Sequence, residues 1–469
     1  MTDPTLSARQ PWYHGITKYQ WLVLLIACLG WIFDVFEGQI FVASMRDAIP
    51  SLLNLSAEHP EVSKWNDWGF AAFAFGGAVG GIYFGMLSDR IGRSKTMILT
   101  ILFYSVFTLF QAFVNAPWQL MALRFLVAMG VGGEWAVASA MVAEVMPERV
   151  RHITSSIFHA SSVLGTLLAV VAGAFVVGNP NLGWRWGFAI GVLPALLTLW
   201  IRWKLREPEK WTKAREAAAS NASAATGRIG DLFRGGNLRN TLVGIGLASI
   251  GLITFWGCHI YGKDALLARA QKQALVAEGV ALAPPPTAGL SPDEVVATLK
   301  PYNQAKAAAF QKHNTKRAEM LSMTLNTIGG GLGLVLFGWI SQRMGRKGAF
   351  VLYHVVGFAL AILLFKVLIP GEAADWVMIL VLPLFGFFTL GMHAGYAVYF
   401  PELFPTRMRG TGAGFCFNGG RILQGVGLFA IGAMGLAPAV KALYLSPLFL
   451  VGAVIVLFGR ETRGQELPE

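Results

Sequence analysis

Four ionisable residues stand inside long apolar stretches near the start of the chain. Asp34 and Glu37 belong to the segment LGWIFDVFEGQIF, and Arg124 and Glu134 belong to RFLVAMGVGGEW. The spacing of Asp34 and Glu37 places both on one face of a helix. Charged groups inside a lipid-soluble helix are costly and usually face the interior of a bundle, where they pair or exchange protons. These residues are therefore our candidates for proton coupling.

The expected depths of Asp34 and Arg124 allow the two side chains to form a pair. If the first helix enters the membrane near Trp21, Asp34 lies about 20 Å along it, hence about 10 Å from the far surface. The fourth helix enters from that far surface near Trp118, which places Arg124 about 9 Å deep. A carboxylate that alternately has and lacks a guanidinium partner would carry a proton. The alternative is a static buried ion pair that holds the two helices together.

Glu134 lies about 24 Å along the fourth helix, and two roles stay open for it. It is either a second relay station for protons or a structural acid bonded to helix ends. Gly130, Gly132 and Gly133 precede it. No strand precedes these glycines and the full dinucleotide or Walker pattern is absent, so we interpret them as sites of close helix packing.

Arg421, in the segment FNGGRILQ, is the cation that lies deep in the second half of the sequence. A buried guanidinium needs an anion, either an acidic side chain of a helix or the carboxylate of a substrate. No acid stands out inside the neighbouring apolar stretches, which favours a substrate. Other side chains are candidates to line the same cavity, with packing or a helix-to-helix bond as the alternative for each: Trp256, His259, His393, Tyr396, Asn418, Gln424 and, in the first half, His159.

The elements that position these residues follow from composition and hydropathy. Of the 469 residues, 55% are hydrophobic and only 14% are charged, and the formal net charge is +12. These values indicate a polytopic membrane protein and exclude a basic nucleic-acid binder. Twelve apolar stretches are long enough to span a hydrocarbon core of roughly 30 Å. They lie near residues 20–43, 66–88, 96–115, 118–145, 153–177, 185–204, 240–261, 319–341, 348–369, 376–400, 411–435 and 440–459.

The basic residues predict the orientation of the chain. Most of the 38 basic residues fall on the side of the N-terminus, and cytoplasmic loops collect Lys and Arg. We therefore expect a multi-pass protein of the cell membrane with both termini in the cytoplasm. The first residues lack the order of a cleaved signal, so the first helix should be retained. The three cysteines are far apart and predict neither a disulfide framework nor a metal site.

Two motifs recur in the same order in both halves of the chain. GMLSDRIGRSK after the second stretch is echoed by GWISQRMGRKG after the eighth, and AEVMPERVR after the fourth is echoed by PELFPTRMR after the tenth. The offsets are about 253 and about 258 residues, which predicts a parallel repeat with a site at the midplane between its halves. The motif residues are Gly85, Asp89, Arg90, Gly92, Arg93, Glu144 and Arg149 in the first copy and Gly338, Arg343, Arg346, Glu402 and Arg407 in the second.

The repeat predicts how the chain divides. We expect an N-terminal six-helix bundle over residues 1–205, a charged cytoplasmic linker rich in Ala and Ser over 206–238, and a C-terminal six-helix bundle over 239–469. Residues 262–317, with three consecutive prolines, do not fit the symmetry. They should form an extracytoplasmic insertion between helices 7 and 8, as a cap or spacer or, alternatively, as a lid or a partner-binding element.

These motifs resemble those of the major facilitator superfamily. The resemblance covers the whole chain except the insertion and the first residues, and WRWGFAIGVLPAL and the closing RETRGQEL contribute to it. It is strongest towards the metabolite and aromatic-acid proton symporters and the neighbouring sialate and sugar porters. The implied fold is an all-α membrane protein with twelve transmembrane helices in two six-helix, parallel-repeat halves.

The resemblance also implies roles for the intramembrane charges. Similar proton-linked sugar porters have an Asp in helix 1 and an Arg in helix 4, which Asp34 and Arg124 match. The aromatic-acid and sialate symporters have two acids in helix 1, which Asp34 and Glu37 match. Asp34 and Glu37 would carry or relay the proton, and Arg124 would set their proton affinity.

The repeated loop would gate one side of the membrane. Asp89 and Arg93 can bond to neighbouring helix ends such as the one that bears Glu144, and these bonds would break when the halves rock. Gln342 replaces the aspartate in the second copy. We therefore expect a weaker latch there.

The expected function is proton-coupled symport of a small organic acid, such as an aromatic acid, a monocarboxylate or a sialate-like metabolite, by alternating access. The helix-7 pattern typical of hexose porters and the helix-5 pattern typical of drug antiporters are both missing, which favours an organic anion. A sugar, polyol or vitamin symporter is the alternative, and a nutrient sensor that does not transport is a further one. No set of nucleophile, base and metal spacing indicates an enzyme, and no cofactor is expected. The expected partners are the substrate, protons and the lipid bilayer, with no nucleic acid and a monomeric state.

Overall fold

The computed structural model describes residues 11–56, 59–177, 179, 181–194, 196, 200, 204–220 and 226–469. Regular structure in these residues is helical. The N-terminal half contains α1 (Lys18–Leu53), α2 (Pro60–Ile91), α3 (Arg93–Gln111) and α4 (Pro117–Val145). It continues with α5 (Glu148–Val177) and with α6, which begins as Gly183–Ala189 and of which the last part lies outside the described residues.

The C-terminal half begins with α7 (Gly235–Ala277). One continuous helix, Lys316–Ile362, contains both α8 and α9, which are divided at Gly345, where φ is 84°. A left-handed φ of this kind favours glycine and lets the chain turn sharply between two helices. The half is completed by α10 (Asp375–Leu403), α11 (Arg409–Gly432) and α12 (Pro438–Leu457).

The predicted fold class is confirmed. Nine helices of the described residues are long and apolar enough to cross a membrane. The longest of them comprises both α8 and α9. Two more helices, α11 with its polar Asn418 and Arg421 and the partly described α6, complete the predicted set.

The linker is folded onto the bundle. It forms a helix over Glu209–Ser220, the linker helix, and a 3₁₀ helix over Ile229–Phe233. Trp211 of the linker helix is 4% exposed, and its Nε1 donates a hydrogen bond of 2.9 Å to the carbonyl of Asp89. The charged, Ala-rich composition of this segment had predicted a cytoplasmic linker. The Trp211 indole contributes to the docking of the linker helix, because a buried indole brings both apolar area and one N–H that needs an acceptor.

The insertion is a helical hairpin. Helix α7 continues to Ala277, well past the predicted end near residue 261, because the added residues are mostly strong helix formers. The insertion helix, Pro292–Lys312, returns beside it. Glu278 contacts Lys312 at 2.9 Å and His313 at 2.8 Å, and these hydrogen bonds lower its pKa.

The two faces of the bundle differ in the segments that lie on them. Arg149, after α4, donates to the carbonyl of His14, and Arg409, at the start of α11, donates to the carbonyl of Pro468. The segments near both chain ends therefore lie on one side, which we call the terminal face. The side that carries the insertion hairpin is the insertion face. The halves meet where α2 packs on α11 and α5 packs on α8.

Candidate functional site

Arg124 is held by Glu37 and by two aromatic rings. Its Nη1 donates to the two carboxylate oxygens of Glu37 at 3.2 and 3.0 Å. Its guanidinium lies 4.0 Å from the ring centroids of both Phe41 and Phe73. The expected pair of Arg124 with Asp34 is therefore wrong. The guanidinium that stacks on Phe41 meets Glu37, one turn before it on the same face of α1, whereas Asp34 lies about one further turn away.

Asp34 is a buried acid without a fixed partner. It is 0% exposed, and neither of its carboxylate oxygens accepts a hydrogen bond from the described residues. Its polar neighbours are Tyr104 of α3, Glu134 of α4, Glu37 of α1 and Arg421 of α11. Asp34 consequently lies among groups of both halves of the chain.

Glu134 is also fully buried and only half satisfied. Thr100 of α3 donates to one carboxylate oxygen, and the other, Oε1, has no hydrogen-bond partner in the part of the chain that the structure describes. A Cβ atom on Gly30 of α1 would lie 2.8 Å from this Oε1, so the glycine provides the space for the carboxylate. Glu134 thus makes one structural hydrogen bond and keeps one carboxylate oxygen without a partner among the described residues.

Arg421 extends from α11 towards the N-terminal half. A Cβ atom on Gly77 of α2 would meet its Nη1 at 2.8 Å. This Nη1 forms no hydrogen bond within the described ranges, and Asp34 is the acid near the guanidinium. The guanidinium also lies 5.0 Å from the ring of Phe417, one turn earlier on α11. Arg421 therefore crosses the boundary between the halves without a saturating anion.

Four aromatic side chains from both halves pack together next to Arg421, and we call them the aromatic layer. Trp135 of α4 stacks on Phe417 with ring centroids 4.0 Å apart. Trp135 Nε1 donates to Nδ1 of His159 on α5, and Trp31 Nε1 of α1 donates to the carbonyl of His159, both at 3.2 Å. The Trp135 indole thus fixes the ring of His159, which the sequence had suggested as a cavity residue, and the Trp31 indole fixes its backbone.

Three further cavity candidates bond to backbone carbonyls of neighbouring helices. Tyr396 Oη donates to the carbonyl of Leu247 at 3.1 Å, and His393 Nε2 lies 3.3 Å from the carbonyl of Gly251, so both tie α10 to α7. Asn418 Nδ2 donates across the halves to a carbonyl of α4 at 3.3 Å. Trp256 and Gln424 are partly buried, and His259 lies 3.4 Å from Asn326 of α8.

Asp89 joins the two halves at the terminal face. Its carboxylate accepts hydrogen bonds from the backbone N–H groups of Gly410 at 3.1 Å and Thr411 at 2.8 Å, and from the Thr411 hydroxyl. These are first-turn groups of α11, where free N–H donors and the helix dipole favour an anion. Gly85 allows the approach, because a Cβ atom there would lie 2.6 Å from the carbonyl of Gly410.

Arg93 and Glu144 extend this contact. Arg93 Nη1 donates to Asp89, its Nη2 donates to Glu144 at 2.8 Å, and Glu144 also accepts from Arg409 of α11 at 2.8 Å. Arg93 and Arg409 are fully buried. The bonds that the motif predicted are confirmed, and they reach across the halves. We call Asp89, Arg93, Glu144, Arg409 and Thr411 the latch.

The second copy of the motif repeats the pair of an arginine with a glutamate, but the hydrogen bonds of this pair stay within the C-terminal half. Arg346 Nε and Nη2 donate to Glu402, both at 2.9 Å. Gly338 lies against α5, where a Cβ atom would be 2.5 Å from the carbonyl of His152. Gln342, in the position of the aspartate, is exposed. The two copies are therefore unequal at the terminal face.

The remaining motif residues lie around the latch. Gly92 makes the turn between α2 and α3 with a φ of 116°. The four arginines bond to the linker and the chain ends: Arg90 to the Gly227 carbonyl, Arg149 to the His14 carbonyl, Arg407 to Asp231, and Arg343 through its own carbonyl to Arg463.

Two carboxylates that the sequence analysis missed cap the helices after the repeated loops. Glu207 accepts from the backbone N–H of Arg93 at 2.6 Å, and Glu461 accepts from that of Arg346 at 2.9 Å. Burial raises the pKa of Glu461, but its backbone hydrogen bonds outweigh burial, so the pKa lies below its usual value. The signal was an Arg-Glu dipeptide after the sixth and twelfth stretches, repeated at about 254 residues.

Two family models match the chain. A model described as "Sugar (and other) transporter" matches residues 32–233, and one described as "Major Facilitator Superfamily" matches residues 307–469. The chain belongs to the major facilitator superfamily. It is therefore a multi-pass membrane protein and a transporter of small molecules.

Relatives and a solved structure agree with this assignment. A niacin transporter NiaP of Acinetobacter baylyi is 27% identical over 96% of this chain and 96% of its own. The sialic acid transporter NanX of Escherichia coli is 26% identical over 95% of this chain and 92% of its own. A structure titled as the proton:xylose symporter XylE has a TM-score of 0.67 at 16% identity, covers 96% of this chain and 98% of its own, and so shares the facilitator fold.

Proposed function

We propose that this facilitator is a proton-coupled symporter of a small organic acid that works by alternating access. The observation that carries the proposal is Arg421, a guanidinium at the meeting of the halves whose Nη1 lacks a partner among the described residues. A substrate carboxylate would satisfy it through charge-assisted hydrogen bonds, whereas a neutral substrate would leave the buried charge uncompensated. The names of NiaP and NanX, which are those of carboxylic-acid transporters, support an anion.

The proximity of Asp34 to Arg421 provides the coupling. When Asp34 is ionised, it is the anion next to the guanidinium. When Asp34 takes up a proton, the guanidinium loses that anion, and a substrate carboxylate replaces it. One proton and one carboxylate are thereby bound together. Arg124 does not serve as the partner of Asp34, because Glu37 and the rings of Phe41 and Phe73 already hold its guanidinium.

The latch supplies the alternation. In the structure it joins the halves at the terminal face, and the excess of basic residues on that side favours a cytoplasmic location for it. Rocking of the halves would break the bonds of Asp89 to α11 and open the site to that side. Both termini would then be cytoplasmic, and the insertion hairpin would be extracytoplasmic.

The test is exchange and accumulation in proteoliposomes. We expect counterflow of nicotinate or N-acetylneuraminate, and accumulation of the same acid when the outside is made acidic, but neither for nicotinamide or xylose. Arg421→Gln should lower the apparent affinity for the acid by about 10- to 100-fold, from the loss of a charged hydrogen bond of about 1.5–3 kcal/mol. The matched control is Arg343→Gln, because Arg343 is exposed at the terminal face.

Asp34→Asn tests the coupling separately. Exchange of the acid should persist, because it needs no net proton movement, while accumulation driven by a pH gradient should be lost. Transport of neutral compounds but not of acids would overturn the organic-acid assignment. Ligand binding without flux in the wild type would indicate a sensor instead.

A further inference from the structure

Helix α3 carries a buried polar stripe that belongs to neither repeated motif. Thr100, Tyr104 and Thr108 follow one another at four-residue spacing and so lie on one face of the helix. All three are 0% exposed. The opposite face presents apolar side chains such as Leu99 and Phe110, which are 41% and 47% exposed. Inside a membrane, buried polar side chains of this kind need polar partners.

The partners of the stripe are the three buried acids. Thr108 Oγ1 donates to Glu37 at 3.3 Å, and Thr100 Oγ1 donates to Glu134. Tyr104, one turn from each threonine, faces Asp34. The order along α3 from the insertion face to the terminal face is therefore Glu37, Asp34, Glu134.

The middle of this series is unsatisfied. Both carboxylate oxygens of Asp34, the hydroxyl of Tyr104 and Oε1 of Glu134 have no hydrogen-bond partner among the residues that the structure describes. Helix α4 packs closely on α3 at Tyr104, because a Cβ atom on Gly130 would lie 2.7 Å from the Tyr104 Cβ. Glu37, by contrast, is committed to Arg124 at 3.0 Å. The two acids that are free to exchange a proton are thus next to one phenol, because Tyr104 faces Asp34 and Glu134 is bonded one turn away at Thr100.

Electrostatics gives this arrangement a function. Two buried carboxylates close to each other cannot both be ionised cheaply, so the pair retains a proton that either member can hold. The charged groups that face Asp34 are Glu134 of α4 and Arg421 of α11 from other elements, and Glu37 from its own helix, α1. A phenol can accept a proton from one acid while it donates its own to the other, which moves a proton without ionising the ring.

We propose that Tyr104 is the relay through which Asp34 and Glu134 exchange the coupled proton, along the interior of the N-terminal half and beside the substrate cleft. In the step, the proton of the Glu134 carboxyl moves to the Tyr104 oxygen while the Tyr104 hydroxyl proton moves to the Asp34 carboxylate. Tyr104 is neutral before and after, and one proton has moved from one acid to the other. This inference rests on the proposed proton coupling.

The test is Tyr104→Phe, which removes one oxygen and keeps the ring. In proteoliposomes we expect counterflow within about two-fold of the wild type, and a loss of about ten-fold or more in the initial rate of accumulation driven by a pH gradient, as for removal of a proton-transfer group. The matched control is Tyr353→Phe, because Tyr353 is an equally buried tyrosine whose hydroxyl donates to the Gly333 carbonyl at 3.1 Å in the C-terminal half. It should change neither rate.

The outcomes separate this inference from the function beneath it. Accumulation that Tyr104→Phe leaves intact, or an equal loss of accumulation and counterflow, would overturn the relay. Should that variant not fold, Glu134→Gln carries the same expectation of retained counterflow and lost accumulation, with the same refuting results. A wild type that exchanges acids but does not respond to a pH gradient would instead remove the proposed proton coupling.

Discussion

The latch can be tested by removing one charge. Asp89→Asn keeps the size of the side chain but places an amide where the carboxylate accepts from α11 at Gly410 and Thr411. An amide has one acceptor oxygen, and its NH₂ group faces backbone donors that it cannot bond. Arg93 keeps its pair with Glu144, so the N-terminal half itself should remain folded.

The size of the effect follows from the bonds that are lost. Asp89 accepts three hydrogen bonds from the other half, those of the Gly410 N–H and of the Thr411 N–H and hydroxyl. Hydrogen bonds to charged groups contribute about 1.5–3 kcal/mol each, and an asparagine retains part of them, so the closed terminal face should lose about 3 kcal/mol. This corresponds to a shift of about a hundred-fold in the equilibrium between closed and open states.

The assay is the distance between spin labels on the two halves. Lys95 after the first loop and Met344 in the second are exposed at the terminal face and can carry the labels once the three native cysteines are replaced. We expect Asp89→Asn to move the main population from short to long distances. Gln342→Ala is the control, because Gln342 occupies the equivalent position but is exposed. An unchanged distance distribution for Asp89→Asn would refute the assignment of the latch.

Two further predictions concern stability. Gly132→Ala should lower the free energy of unfolding by about 1–3 kcal/mol from overpacking, because the added Cβ atom would lie 2.1 Å from the Gly77 carbonyl oxygen. Gly425→Ala is the control, because a Cβ atom there would have no atom within 4 Å. Equal melting temperatures for the two variants would contradict the packing role of Gly132. Glu461→Gln should lower the melting temperature at pH 7 by about 2–4 °C. Since its pKa is lowered in the folded protein, the stabilisation by Glu461 is complete above about pH 4.3 and is lost as the pH falls through the folded pKa. The difference from the wild type should therefore vanish in acid, and a difference that persists there would refute the carboxylate cap.

Much of the fold could be predicted from the sequence, because the relevant signals are local. Apolar stretches of membrane-spanning length predicted the helices, and two motifs repeated at nearly constant offset predicted the two halves. The glycines before Glu134 were interpreted as packing sites, and this is confirmed for Gly132, which touches α2. The bonds of Arg93 to Asp89 and Glu144 were also predictable, since motif residues of these types at helix ends have few other partners.

The pairing inside the membrane was decided by the tertiary structure alone. The expected depths in the membrane matched Arg124 with Asp34. A shift of one helical turn, about 5.4 Å, exchanges one acid of α1 for the other. Only the position of the surrounding rings selects Glu37. The rotation of α3 that brings Tyr104 to Asp34 was likewise decided by the tertiary structure. Helix periodicity tells which residues share a face. It does not tell which neighbouring helix that face meets, because the choice depends on the packing of all the helices at once.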